Sequence, residues 1–238
     1  MSPLYLFTDF GNGSPYVGQL HGVITATAPS LPIIDLMHDA PSRDPQGGAY
    51  LLAAVLRDLP SPFVVCAVID PGVGSDRLPL AWRCGQHWLV GPDNGLLAVA
   101  TRRLQGGEPH RIVAAAEPRS RTFHGRDLFA PAAAKLATGQ EVGLEPLDGR
   151  PVGWDWPESL GQVVYVDAYG NLVTGSRPPG ADAAIRLGGR ELRRAATFSD
   201  VPPGEPFWFE NSFGLLEVAV NRGSAAELFG LAVGDPLA

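Results

Sequence analysis

The chain has 238 residues, 45% of them hydrophobic and 18% charged, with 29 glycines and 23 prolines; this composition describes a globular protein with many short turns and excludes extensive disorder. A net charge of −7 repels nucleic-acid phosphates and anionic lipid, so neither is expected as a partner, whereas a small cationic ligand is tolerated. Cys66 and Cys84 have no metal-ligand spacing, the amino terminus has no basic region before its apolar run, and no apolar stretch is long enough to span a bilayer, so a cytoplasmic chain without a signal peptide is expected.

Leu4–Thr8 reads as a buried strand that ends at Asp9 and so carries a carboxylate to its tip. Ser14 and Pro15 start a helix with Val17, Leu20 and Ile24 along one face, stopped by Pro29. Residues 32–36 form a second strand that holds Asp35 and runs into His38 and Asp39. Asp44 then caps a helix with Leu52, Val55, Leu56 and Leu59 as its buried stripe. The β-branched run 64–69 stops at Asp70-Pro71-Gly72, and Gly72 and Gly74 let the loop fold tightly. Arg77 therefore returns close enough to face Asp70, although Asp-Pro-Gly is also ordinary turn chemistry in which the carboxylate caps its own turn.

Three strands separated by two helices argue for parallel pairing through crossovers. Two further strands at 78–83 and 87–90, a helix over 96–104 and a strand at 112–115 follow. Phe123, His124, Gly125, Arg126 and Asp127 lead into a helix over 128–137, closed by Gly139. Residues 141–158, rich in Gly, Pro and Trp, read as a linker. Short alternating segments at 163–167, 172–174, 184–187, 206–209 and 215–220 come next, with a helical hint at 225–229. The expected fold is α/β: an N-terminal mostly parallel sheet with flanking helices over residues 1–150, and a smaller C-terminal β-barrel-like domain over 159–238.

Asp9, Asp70, Arg77 and His124 are the candidate chemical groups of the first domain, and Asp167, Asn171, Asn211 and Ser212 those of the second. His124 alone also reads as a helix cap, and Asp167 to Asn171 also as a β-turn.

LFTDFG at 6–11, VIDPGVGSDR at 68–77, VGPDNGLL at 90–97, FHGRDLFAPAAAKLATG at 123–139, VDAYGNLVT at 166–174 and NSFGLLEVAVNRGSA at 211–225 together resemble the S-adenosyl-L-methionine hydroxide adenosyltransferases, the hydrolytic relatives of fluorinase and chlorinase. The resemblance runs in order over nearly the whole chain. It implies hydrolysis of S-adenosyl-L-methionine to adenosine and L-methionine, with hydroxide displacing methionine at the ribose C5′ and Asp70, Arg77 and His124 around the nucleophile. The halogenating relatives have Tyr where Asp70 stands and lack the histidine.

By the same resemblance Asp9 accepts from the ribose hydroxyls, and Phe123 and Phe198 enclose the adenosine. Asn171 pairs with an adenine edge and the backbone at Arg222 meets that base, while Asp167 holds the methionine ammonium and Ser212 its polar end. Phe213 stands where the halogenases carry Arg, and Arg43 replaces a pocket Trp. The resemblance further implies a homotrimer with sites at subunit interfaces, S-adenosyl-L-methionine as substrate, and no cofactor or metal. Two other readings compete: a metal-dependent phosphatase or nucleoside-cleaving hydrolase built on Asp9, Asp35, His38, Asp39 and Asp70, and a non-catalytic adenosine or S-adenosyl-L-methionine sensor.

Overall fold

The computed structural model describes the chain except residues 114, 115, 181, 182, 184 and 238. Two compact units divide it, Met1–Trp156 and Pro157–Ala238.

The first unit is built on a seven-stranded mixed sheet. Its strands are β1 (Leu4–Thr8), β2 (Ile33–Met37), β3 (Val64–Val68), β4 (Pro79–Cys84), β5 (His87–Pro92), β6 (Glu108–Ile112) and β7 (Leu144–Pro146), in the order β2-β1-β3-β5-β4-β6-β7. The block β2-β1-β3-β5 is parallel and the pairings β5-β4, β4-β6 and β6-β7 are antiparallel. β1 and β3 are buried at every position, as strands covered on both faces must be.

On one face, Leu4, Leu6, Val64, Cys66 and Val68 meet α1 (Pro15–Thr27) and α4 (Ala130–Thr138). The alanines Ala130, Ala133, Ala134 and Ala137 let α4 approach the sheet closely, and all are buried. α2 (Pro45–Val55) packs on α3 (Ala98–Arg103), and a Cβ on Gly48 would come 2.4 Å from Ile69 Cδ1, so α2 is pressed against the end of β3. Helix starts follow the capping residues: the Ser14 side chain accepts from Tyr16 N and that of Asp44 from Gly47 N. Burial pushes the thiols of Cys66 and Cys84 up to about 12, as expected of inert core residues.

Several expected boundaries shift. The strand expected at 112–115 lies earlier, as β6, and residues 114 and 115 fall outside the described ones. The helix expected over 96–104 is the shorter α3, and α2 ends at Val55, so Leu56 caps it and Leu59 lies beyond. The helix expected from 128 begins instead as a π-helical turn, Gly125–Phe129, that runs directly into α4 and ends at Gly139 with φ 71°. Residues 141–158 are not a simple linker. β7 extends the sheet edge, Arg102 Nη1 donates to the carbonyls of Trp154 and Trp156 at 2.6 and 2.7 Å, and Trp154 stacks on Trp82 with centroids 5.4 Å apart.

The second unit is a curled six-stranded half-barrel. Its strands are β8 (Leu160–Val166), β9 (Leu172–Gly175), β10 (Ile185–Leu187), β11 (Arg190–Arg194), β12 (Pro206–Glu210) and β13 (Leu216–Val220), in the order β10-β11-β12-β13-β9-β8, with α5 (Ala225–Phe229) at the end. Val163, Leu172, Leu192, Trp208, Val218 and Ala225 lie in its core. β11 was not anticipated, and the expected strand at 184–187 is described from Ile185 on as β10, residue 184 lying outside the described ones.

Candidate active site

β1 and β3 run parallel in register, Leu4 opposite Val64 through Thr8 opposite Val68, so their carboxyl ends bring Asp9 and Asp70 to one edge of the sheet. A cavity of about 270 Å³ opens there, lined among others by Asp9, Phe10, Arg43, Asp70, Phe123 and His124. A larger one, about 560 Å³, is lined by Arg77 and His124 among others but by neither Asp9 nor Asp70.

The loop after β3 is tied to itself. Val73 N donates to Asp70 O, and the Ser75 hydroxyl donates to Gly72 O at 2.6 Å. Gly74 has φ 82°, and a Cβ there would lie 2.8 Å from the Arg121 carbonyl oxygen, so only glycine fits. This folding returns Arg77 onto Asp70: Nε donates to Oδ1 at 3.1 Å and to Oδ2 at 3.0 Å, and Nη2 to Oδ2 at 2.5 Å. Both side chains are nearly buried, 9% exposed for Arg77 and 6% for Asp70. The guanidinium also lies over the Phe129 ring, 5.0 Å from its centroid, a cation–π contact that braces it from the helix side.

Arg77 Nη2 lies 2.8 Å from His124 Nδ1. A guanidinium has donors only, so Nδ1 must accept with its lone pair, and the single proton of the neutral ring sits on Nε2. Burial holds the His124 imidazolium form unfavourable and the Arg77 charge adds to this, against the opposing pull of Asp70 and Asp127, so His124 titrates below its ordinary value. The trio is a directed chain: carboxylate, guanidinium, neutral imidazole with one protic edge.

His124 precedes the π-helical turn. The turn is anchored by Asp127, which accepts from Ser120 N at 2.7 Å and from Arg126 Nε at 2.6 Å. Phe123 meets Phe10 and Tyr16 edge to face at 5.8 and 5.2 Å, walling the cavity with aromatic surface. Asp9 Oδ2 accepts from Arg43 N at 3.0 Å. Burial raises the Asp9 carboxyl above its usual value, the Arg43 bond pulls it back, and the charge of Asp70 raises it further.

Comparison with known proteins matches residues 4–144 to the family model of the SAM hydroxide adenosyltransferase N-terminal domain and residues 161–238 to that of its C-terminal domain. The chain belongs to the SAM hydroxide adenosyltransferase family. It is 41% identical over 255 residues to the (R)-S-adenosyl-L-methionine hydrolase of Thermus thermophilus, covering 100% of this chain and 99% of that one. A second hydrolase of the same name, from Salinispora arenicola, is 39% identical over 97% of this chain and 94% of its own. The crystal structure of an uncharacterized conserved protein from Thermotoga maritima superposes with a TM-score of 0.81 at 30% identity, covering 98% and 97% of the two chains.

In the second unit, Asp167 is first of all a loop organiser. Its Oδ1 accepts from Tyr169 N and Asn171 N, both at 2.9 Å, and its Oδ2 from Asn171 Nδ2 at 2.8 Å. That contact fixes the amide orientation of Asn171 and leaves its Oδ1 buried, with no hydrogen-bond partner among the described residues. Sequence reasoning missed Glu217. It is 7% exposed on β13, accepts from Asn211 Nδ2 at 3.0 Å, and sits near Asp167. Burial raises its carboxyl, the Asn211 bond lowers it, the Asp167 charge raises it and the Asn171 amide lowers it again. Asn211, whose Oδ1 accepts from Phe213 N and Leu215 N, thereby joins the loop carrying Ser212 to this group. Ser212 and Arg222 are exposed, the latter with φ 60°, and Phe198 is 41% exposed with its ring edge-on to Phe207 and Phe209 at 5.1 and 5.7 Å.

Proposed function

We propose that this chain hydrolyses S-adenosyl-L-methionine to adenosine and L-methionine by attack of water-derived hydroxide at the ribose C5′. The observation that carries the reading is the Asp70–Arg77–His124 chain at the cavity that Asp9 also lines. The oxygen of water forms a bond to C5′ and the C5′–S bond breaks. Sulfur takes that electron pair to become the neutral thioether of methionine, and one proton is released. No acid is needed for a neutral leaving group, so the difficulty is holding the nucleophile.

The hydrogen-bond directions assign the work. His124 offers Nε2–H and cannot take a proton at Nδ1 while Arg77 donates there. Asp70 has both carboxylate oxygens occupied by Arg77 N–H donors. The trio therefore stabilises hydroxide whose proton has already gone to solvent, through the Arg77 charge and the Nε2–H dipole. Asp9 at the strand tip suits the ribose hydroxyls, Phe123 suits the adenosine face, and the orphaned Asn171 Oδ1 suits the exocyclic amine of adenine. Phe198 and the backbone at Arg222 complete the adenine surroundings, and Asp167 and Ser212 take the methionine end.

The cavity of about 270 Å³ is below the usual range for a ligand of this size, about 300–1,000 Å³. That supports a homotrimer in which the C-terminal domain of a neighbouring copy completes each site. A cytoplasmic location and a reaction without cofactor or metal belong to the same proposal. No described helix is long and apolar enough to cross a membrane. Among the described residues Asp9 and Asp70 belong to no cluster of three metal-ligand side chains, which disfavours the metal-dependent phosphatase. A sensor would have no use for a buried, directed trio.

Chelator-treated protein in ¹⁸O-labelled water should release adenosine carrying label in its 5′-hydroxyl, together with methionine. Asp70→Ala and His124→Ala should slow turnover more than they weaken binding. Adenine or S-adenosylhomocysteine as product, or unlabelled adenosine, would refute the proposal.

A further inference from the structure

Three side chains of the first unit converge outside the cavity-lining set. His21 lies on α1, Asp35 on β2 and His38 just past the end of β2. His21 Nε2 is 2.7 Å from Asp35 Oδ1, His38 Nε2 is 3.0 Å from the same oxygen, and the three donor atoms all lie within 4.8 Å of one another. An isolated His–Asp pair would be an ordinary surface interaction, but His38 is 4% exposed and its Nε2 has no partner within hydrogen-bond geometry. The ring is close to the carboxylate without being aligned to it. Leaving a buried ring nitrogen in that state is costly unless something else occupies its lone pair.

The other edge of His38 is already committed. Nδ1 lies 2.8 Å from Thr8 Oγ1, the kind of outer contact that fixes an imidazole with Nε2 as its ligating nitrogen. We propose that His21 Nε2, Asp35 Oδ1 and His38 Nε2 form a binding site for a divalent transition ion of the zinc class. Two imidazoles and one carboxylate suit Zn²⁺, Co²⁺ or Ni²⁺, whereas Ca²⁺ and Mg²⁺ select oxygen ligands. A tetrahedral zinc with bonds of about 2.0–2.2 Å spaces its ligand atoms about 3.4 Å apart. The His21 and His38 contacts with Asp35 must therefore open by about 0.7 and 0.4 Å, which the His21 and Asp35 side chains, 36% and 44% exposed, have room to do. Their exposure leaves the fourth position to water. Neither Asp70, Arg77 nor His124 belongs to the cluster, so the ion takes no part in hydrolysis.

The test uses the full chain stripped with chelator and dialysed, then titrated calorimetrically with Zn²⁺ and followed in the visible spectrum with Co²⁺. One ion per chain is expected, with the intense bands of a four-coordinate cobalt site, and a rise in Tm on zinc saturation. His21→Ala, at a partly exposed helix position that folding tolerates, should weaken Zn²⁺ binding by about tenfold or more and abolish the rise in Tm, while His110→Ala leaves both unchanged. Absence of binding at submillimolar Zn²⁺, or identical binding by wild type and His21→Ala, would overturn the site. Adenosine release by the stripped protein is read separately, so loss of the metal site and loss of the proposed hydrolysis are distinguishable.

Discussion

Arg77 holds both other members of the trio, so Arg77→Met tests the arrangement most severely. The Asp70 and Arg77 side chains are 6% and 9% exposed and share three N–H···O contacts. Removing one partner of such a pair strands a buried charge and costs about 3–5 kcal/mol. At about 2–4 °C per kcal/mol for a unit of this size, Tm should fall by roughly 6–20 °C. Methionine keeps apolar contact with Phe129, so packing loss adds little. The double variant Asp70→Asn/Arg77→Met removes the stranded charge and should regain most of the lost stability, because uncharged replacements of buried pairs are often near neutral. Turnover should not return, since neither the cation nor the bond that orients His124 is restored. Calorimetric Tm and chromatographic adenosine release measure the two effects. Equal Tm for the single and double variants, or single-variant turnover within about tenfold of wild type, would refute the arrangement as derived.

His124 titrates below its ordinary value, first because of burial and then because of Arg77, and burial lowers His87 as well. The unfolded chain binds these protons more readily. Stability is therefore unaffected by them above about pH 6.5 and is lost as pH falls from there through the folded values. The kcat/KM profile should show an acid limb with its midpoint below about 6.5, and a midpoint above that would contradict the neutral, Arg77-bound ring. Asp9→Asn should raise KM more than it lowers kcat, with a loss of about 10- to 150-fold in kcat/KM, the equivalent of a charged hydrogen bond worth about 1.5–3 kcal/mol. Steady-state kinetics decide between this and a purely structural role, in which Tm alone would change. Gly74→Ala forces a side chain into a left-handed position against the Arg121 carbonyl, costs about 1–3 kcal/mol of strain, and should reduce turnover through misplaced Arg77 more than it lowers Tm.

What was legible in the sequence was local. Apolar β-branched runs that stop at Asp9 and Asp70 mark strand tips, Ser14-Pro15 and Asp44-Pro45 mark helix starts, and the spacing from Asp70 to Arg77 already set them face to face. Features that needed a distant partner were not legible. β11 reads Arg-Glu-Leu-Arg-Arg and buries only Leu192, so no alternation announced it. Residues 141–158 looked like a linker because their order depends on Arg102 and Trp82, far away in the chain. Glu217 is hidden inside an apolar run, and its signal is only that an acid interrupts it. Asp167 fulfils the plain turn reading, whatever further role it has, and the proton position on His124 follows only from the direction of a contact across 47 residues. Asp35 and His38 were visible three residues apart, but His21 joins them from another element.

The π-helical turn Gly125–Phe129 bears on how the site and the core share one helix. A π turn holds one residue more than the α-helical turn it replaces, and one residue corresponds to about 100° of rotation. Deleting a single residue within it would restore an uninterrupted α-helix while leaving the alanine face of α4 seated on the sheet. Phe123 and His124 would then be swung by about a quarter turn away from the cavity they line. The extra residue thus acts as a phase shifter, setting the angular offset between the face that folds the domain and the edge that meets the ligand.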